Sequence, residues 1–298
     1  MNNQILLQQV LESLKRQNKM PRRIDFSKVG DRYWCVVSDT EVDKTSVINQ
    51  DVYTGHSFEK EVALLKALSE RAERYTFIDG NRKGLDSCLT ERSDGFAAMP
   101  SESQKSARDN ALNEAIERFV WSTWWDNTQI EFLTSEIDCE KNHSEYLKSV
   151  ISSLNIEKLI LVKPKIKATD KEVQIIFGKL KGKGYISGGA CGNINDHQST
   201  FFRGLDELYR HGMAYNNATT KKVEPESFYE QRLFYFASGF GDSLVESRLS
   251  QNGVHSIELP ELVIDSEVTA SFANYSVHRC LFKNQPPFVG GALERLCL

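Results

Sequence analysis

The sequence lacks several features that would place it in a common class of protein. It has no GxxxxGK[ST] phosphate-binding loop, no GxGxxG dinucleotide motif and no HRD/DFG pair, so a bound nucleotide would need a different architecture. No run approaches the roughly 18 apolar residues of a membrane span. The six cysteines include no CxxC pair, and their wide spacing predicts free thiols rather than a disulfide framework.

An excess of positive charge is missing as well. The 298 residues carry a formal net charge of −4, which offers no basic face to nucleic acid or to an anionic membrane. Apolar residues make up 40% of the chain, enough for an ample core. The start, MNNQILLQQVLESLKRQNK, has the spacing of an amphipathic helix rather than a signal peptide. We therefore expect a cytoplasmic protein that binds neither nucleic acid nor membrane.

Hydrophobic spacing predicts a mixture of helices and strands. SDGFAAMPS (93–101) is rich in turn residues, and the glycine-rich GKGYISGGACGNIN (182–195) is interpreted as a connector or, more weakly, an anion-binding loop. Without a regular βαβα alternation, the pattern favours an α+β fold with mixed sheets. No linker divides the chain, so residues 1–298 are expected to form a single domain. The predicted helices cover about 3–17, 58–77, 103–125 and 197–216, and the predicted strands 32–38, 156–163, 173–178 and 275–282.

The most distinctive feature is a helical stretch that occurs twice. ALSERAERYTF (67–77) returns as ALNEAIERFVW (111–121), and both copies have the pattern Ala-Leu-x-Glu-x-x-Glu-Arg followed by an aromatic residue. On a helix the apolar positions form a core stripe, and the charged positions share a separate arc. The charged arcs consist of Glu70, Glu73 and Arg74 in the first copy and of Glu114, Glu117 and Arg118 in the second.

Two interpretations of these arcs stay open on physical grounds. Glu-x-x-Glu-Arg is common on exposed helices, so a single copy would indicate a solvated surface. Phe77 and Trp121, however, return to the carboxylate arc, where a fully exposed face would not favour a large aromatic side chain. Four carboxylates on two facing helices could bind Mg²⁺, and the arginines could then bind phosphate oxygens of a nucleoside triphosphate.

Three segments of the chain resemble the YcaO family of ATP-dependent enzymes that modify peptide backbones. They are TGHSFEKEVALLKALSERAERY, SDGFAAMPSESQKSARDNALNEAIERF and GGACGNINDHQSTFFRGLDELYRHGM, within ATP-site segments at about 54–77, 93–121 and 185–214. YSVHRCLFKNQPPFVGGALER is similar to the late strand and proline-containing loop of the family. The resemblance implies a single YcaO-like domain whose ATP site is built between helices, without a P-loop.

The resemblance also implies which residues form that site, with ATP and Mg²⁺ as cofactors. Four carboxylates would be the metal ligands: Glu70, Glu73, Glu114 and Glu117. The nucleotide site as a whole would comprise Glu70, Glu73, Arg74, Glu114, Glu117, Arg118, Arg203 and Glu207.

The activity implied by the resemblance is phosphorylation of a backbone amide in a ribosomally synthesised peptide or a protein. The product would be an azoline, a thioamide or an amidine, depending on the nucleophile. The partners would be the precursor peptide or protein and a protein that presents it, either E1-like and leader-binding or TfuA-like. Family members are often dimeric, and FVWSTWW (119–125) is compatible with an interface in a homodimer.

The sequence also departs from the family pattern. Lys66 stands where serine is frequent, His56 replaces part of a Gly-Lys-Gly-like turn, and Arg210 stands where glutamine is frequent. The Pro-x-Pro-x-Pro tail of azoline-forming members is missing. These departures motivate an alternative, namely a catalytically inactive YcaO-like scaffold or regulatory subunit of a peptide-modifying complex. A third interpretation is an α+β protein in which the duplicated helix is only surface.

Overall fold

The structure is a computed structural model that describes residues 2–40, 52–82, 93–103, 106–138, 144–288 and 292–295. In these residues none of the helices is both long and apolar enough to cross a membrane. The helices are α1 (Asn3–Arg16), α2 (Lys60–Arg82), α3 (Ala107–Asp126), α4 (Glu145–Leu154), α5 (His197–Lys221), α6 (Phe228–Ala237) and α7 (Asp242–Ser250). The strands are β1 (Arg23–Val29), β2 (Arg32–Ser38), β3 (Val52–Ser57), β4 (Gly95–Pro100), β5 (Phe132–Glu136), β6 (Ile156–Pro164), β7 (Lys171–Leu180), β8 (Tyr185–Asn193), β9 (Leu262–Val268) and β10 (Tyr275–Phe282).

The strands form three sheets with the orders β1-β2-β3, β4-β10-β9 and β5-β6-β7-β8. This arrangement confirms the α+β class. The expectation of mixed sheets is wrong, because all strand pairs within these sheets are antiparallel and the parallel bridges in the described residues are isolated. Tight connections such as the one at Gly30, where φ is +59°, return the chain beside the strand it has just left. The strands β3, β4 and β8 each form an edge of their sheet.

The repeated stretch is helical in both copies, and its aromatic residues belong to the core. Trp121 and Trp124 are fully buried; Trp121 packs against Phe288, and Trp124 packs against Phe132 and Phe177. The segment 119–125 therefore contributes to the interior, and these two tryptophans offer no surface to a second copy. The homodimer stays a prediction without this support.

The described cysteines confirm the expectation of free thiols. Cys35, Cys191 and Cys280 are buried and unpaired, while Cys88, Cys139 and Cys297 lie outside the described residues. Burial raises the pKa of the Cys191 thiol to about 12, and Glu117 adds to the shift. A thiol with so high a pKa is a poor nucleophile, which favours a structural role for Cys191.

Two stretches interpreted as turns or connectors are buried strands. SDGFAAMPS contains β4, and the glycine-rich stretch at 182–195 contains β8. Their small residues serve close packing instead of a turn. A Cβ added at Gly95 would lie 1.7 Å from Ala111 O of α3, and one added at Gly188 would lie 2.3 Å from Gly204 O of α5. The helices approach these strands so closely that only glycine fits there.

This packing makes a prediction about stability. Gly95→Ala would push α3 away from β4, and we expect the overpacking to lower the free energy of unfolding by about 1–3 kcal/mol or more. Thermal unfolding followed by circular dichroism measures the loss. Gly178→Ala is the matched control in a strand, because its added Cβ would meet the flexible end of Ile156 at 3.1 Å. Equal losses in both variants would contradict the close helix–strand contact.

Candidate functional site

The first glutamate of each repeated motif contacts the backbone of an edge strand. Thr54 N–H on β3 donates to Glu70 Oε2 over 2.6 Å, and Phe96 N–H on β4 donates to Glu114 Oε2 over 2.7 Å. Edge strands leave such N–H groups without a partner strand, and a buried N–H needs an acceptor. The repeated glutamate therefore joins each helix to its strand in the same way.

The arginine of each motif contacts the same glutamate one turn earlier. Arg74 donates to Glu70, and Arg118 donates both to Glu114 and to the Asp94 carbonyl before β4. Burial alone would raise the pKa of Glu70, but the nearby arginines and the Thr54 N–H lower it overall. Each first glutamate is thus held by hydrogen bonds from its arginine and from the strand backbone, and the lowered pKa keeps Glu70 ionised.

The second glutamate of the later copy has a different environment. The Glu117 carboxylate lies over β8, because a Cβ added at Gly189 would come within 3.4 Å of its Oε1. Burial raises the pKa of Glu117 to about 8, with further contributions from the negative charges of Glu207 and Glu114. Arg118 and Arg203 oppose the shift without cancelling it. No described residue donates a hydrogen bond to this carboxylate.

Helix α5 adds two arginines to the charged residues of α2 and α3, and together these residues are called the cluster below. Arg203 donates to the Cys191 carbonyl on β8 over 2.5 Å, and its Nε is buried without a hydrogen-bond partner among the described residues. Arg210 contacts Glu207 on its own helix and Glu70 on α2. The contacts of Arg210 therefore join the first segment of the predicted site to the third.

The eight residues predicted for the site come together on α2, α3 and α5. Glu73 belongs to the cluster, because its charge acts on both Arg118 and Arg210. Glu207 is 38% exposed, so solvent reaches the cluster from the α5 side. Their positions fit the prediction, while their roles in binding stay predictions.

The departures Lys66 and His56 lie in a second, more buried network around Asp206. His56 Nδ1 lies 3.3 Å from Asp206 Oδ1, and Lys66 donates to the His56 carbonyl over 2.8 Å. Arg32 and Tyr146 also bind Asp206, at 2.9 and 2.7 Å. Burial alone would raise the pKa of Asp206, but His56, Arg32 and Lys66 lower it overall.

Sequence reasoning missed this network. Arg32 and Tyr146 lie 174 and 60 residues from Asp206 along the chain, and no motif links them. The sequence offered one indication of this network. Asp206 is an acidic residue that directly precedes Glu207 on a helix with a strong apolar face.

The carboxylates of the cluster suit a divalent cation, and its arginines suit a polyanion. Carboxylate oxygens are the ligands that Mg²⁺ prefers, and mutual repulsion around Glu117 is relieved when a cation lies between the carboxylates. The buried Arg203 Nε, which lacks a partner within the described part of the chain, is a donor that a phosphate oxygen could satisfy. The residues present therefore fit Mg²⁺ together with a nucleotide.

Two solved structures have a similar fold. One is YcaO from Methanopyrus kandleri bound with AMPPCP and Mg²⁺, with a TM-score of 0.58, 12% identity, and coverage of 97% of this chain and 92% of that chain. The other is a chain of the E. coli microcin synthetase McbBCD complex with pro-MccB17 bound, with a TM-score of 0.60, 12% identity, and coverage of 91% and 89%. The chain has the YcaO fold. No family model and no curated protein matches its sequence.

The environment of Glu117 makes a prediction about pH. Its folded-state pKa of about 8 lies above the ordinary value of 4.5, so protonated Glu117 stabilises the metal-free fold below 4.5 and this contribution is lost as the pH rises through 8. At about pH 9 the charged carboxylate faces Glu207 and Glu114. Glu117→Gln should then raise the melting temperature of metal-free protein, by roughly 2–4 °C per kcal/mol of relieved repulsion.

The measurement is thermal unfolding in a chelator at several pH values. The gain of Glu117→Gln over wild type should shrink as the pH falls through 8 and be smallest below 4.5, where Glu117 is neutral in both the folded and the unfolded chain. Glu267→Gln, on the exposed part of β9, is the matched control and should show no such trend. A gain that stays constant with pH would contradict the raised pKa.

Proposed function

We propose that this chain binds ATP with Mg²⁺ in the cluster formed by α2, α3 and α5, and uses it to activate a backbone amide of a ribosomally synthesised peptide or a protein. The observation that carries the proposal is the Glu117 carboxylate, which repels Glu207 and Glu114 and receives no hydrogen bond from a described residue. A carboxylate that lies near like charges and lacks a hydrogen-bond donor is typical of a ligand site. The fold shared with the M. kandleri YcaO supports the same assignment.

In this proposal the residues of the cluster have three roles: binding Mg²⁺, positioning the helices and binding phosphate. Glu117 would hold Mg²⁺ together with Glu73 and with the Glu207 carboxylate oxygen that Arg210 does not contact. Glu114 and Glu70 would position α3 and α2, since their oxygens already accept from strand N–H groups and from arginines. Arg203 and Arg118 would bind phosphate oxygens.

The chemistry would require a poor leaving group to be replaced by a good one. A nucleophile adds to the amide carbonyl, and bound Mg·ATP would supply the phosphoryl group that lets the former carbonyl oxygen leave as phosphate. A side-chain nucleophile would give an azoline, a sulfide donor a thioamide and an amine an amidine. In this role the arginines would stabilise negative charge on the transferred group.

The proposed substrate would be presented by a partner protein. The similar microcin synthetase is a complex of several proteins with pro-MccB17 bound, which supports a precursor peptide and a presenting subunit for this chain. An E1-like leader-binding protein would suit azoline formation, and a TfuA-like protein would suit a thioamide. The reaction would take place in the cytoplasm.

Calorimetric titration with Mg²⁺ and AMPPCP tests the binding site. We expect wild type to bind and Glu117→Gln to bind roughly ten- to a hundredfold more weakly, the loss of one charge-assisted ligand contact of about 1.5–3 kcal/mol. Glu267→Gln should bind like wild type. Absence of binding by the wild type, or equal binding by Glu117→Gln, would refute the site.

The alternative function is a catalytically inactive YcaO-like scaffold or regulatory subunit, and Arg210 favours it, because an arginine there bridges Glu70 and Glu207. Incubation with ATP, the presenting partner and the precursor peptide, followed by mass spectrometry, separates the two. Loss of one water, or exchange of one oxygen for sulfur, that requires Glu117 would establish catalysis. An unmodified peptide with a nucleotide-binding chain would establish the scaffold.

A further inference from the structure

Arg210 contacts two carboxylates that come from different helices. Its Nη1 lies 3.3 Å from Glu70 Oε1 on α2, and its Nη2 donates to Glu207 Oε2 one turn earlier on α5. The Arg210 side chain is one-third exposed, at 33%, so it lies at the solvent-facing side of the cluster. In this position a fixed positive charge bridges the first and third segments of the predicted site.

The Glu70 carboxylate has little capacity left for a further cation. Its Oε2 accepts from Thr54 N–H, and its Oε1 has two guanidinium partners, Arg74 and Arg210, of which only Arg74 would remain if Arg210 were removed. A divalent ion bound here would have to displace a guanidinium or lie beside one. Because Arg210 is covalently part of α5, its local concentration at Glu70 is far above that of free Mg²⁺.

The other side of the cluster is different. Glu117 has no described hydrogen-bond donor, and the two arginines that act on it, Arg118 and Arg203, already donate to the carbonyls of Asp94 and Cys191. Cations from solution therefore meet at Glu117 a carboxyl group that no described residue hydrogen-bonds, and at Glu70 a carboxylate with three donors.

We propose that Arg210 is a resident cation of this site, so that the edge between Glu70 and Glu207 binds no divalent ion and divalent-ion binding is confined to the side of Glu117. The proposal rests on the Mg²⁺ and nucleotide site proposed above. It makes Arg210 a positioning residue that sets how many metal ions the chain binds. Glutamine at this position would leave Glu70 and Glu207 facing each other without the bridging charge.

The number of bound Mn²⁺ ions tests this proposal. Mn²⁺ is titrated into the full chain with AMPPCP, and free Mn²⁺ is measured by its electron paramagnetic resonance signal. We expect Arg210→Gln to bind one more Mn²⁺ per chain than wild type, and Arg210→Lys, which keeps the charge, to match wild type. Arg23→Gln is the matched control, since Arg23 pairs with Asp25 at the surface, outside the cluster. Equal numbers in wild type and Arg210→Gln would overturn the proposal.

A second pair of variants keeps the test decisive if Arg210→Gln fails to fold. Glu70→Gln should leave the number of bound Mn²⁺ ions unchanged, whereas Glu117→Gln should lower it. An equal loss in both would overturn the resident-cation role.

Failure of the proposed function gives a different result, because wild type would then bind neither AMPPCP nor Mn²⁺. A gain in Arg210→Gln would still support the resident cation in that case, and no gain would overturn it.

Discussion

The structure of the site depends on how three sheet edges satisfy their backbone groups. β3, β4 and β8 are edge strands, and each is followed by a helix whose side chains pair with the strand's backbone. Glu70 accepts from Thr54 N–H, Glu114 accepts from Phe96 N–H, and Arg203 donates to the Cys191 carbonyl. An unpaired edge invites association with another strand. Here the same hydrogen bonds that protect the edges also bring charged side chains toward one centre.

This constraint gives the two glutamates of each motif different tasks. The first glutamate can reach the strand only because the helix lies almost in contact with it, which Gly55 and Gly95 permit: a Cβ at Gly55 would lie 2.1 Å from Ala63 O. The second glutamate is three residues further along the helix, and in the later copy its Oε1 lies over Gly189 of β8. Truncating a first glutamate should therefore weaken the contact between helix and strand, whereas changing Glu117 to glutamine removes no hydrogen bond that a described residue donates.

The sequence predicts the helices better than the strands that support them. Periodic stretches such as 3–17 and the repeated motif specify helices through their own side chains, and β2 and β10 follow from β-branched and aromatic residues. β4 and β8 escape prediction because glycine and alanine have low strand propensity, and these small residues are needed only because the helix that follows each strand packs closely on it. The motif residues could be grouped from spacing and resemblance. Asp206, Arg32 and Tyr146 could not, since only the tertiary fold brings them together.

The net charge of the predicted site explains why Arg210 can influence metal binding although its side chain is partly exposed to solvent. The eight predicted residues and Arg210 together supply five carboxylates and four guanidiniums. A cluster so nearly neutral needs few ions from solution, and replacing a single arginine by glutamine would add one unit of net negative charge to it. Arg210 is thus both a departure from the family pattern and a charged member of the site. Sharing a fold with a nucleotide-binding YcaO does not by itself fix the number of divalent ions that this chain binds. In the proposal above, Arg210 sets that number.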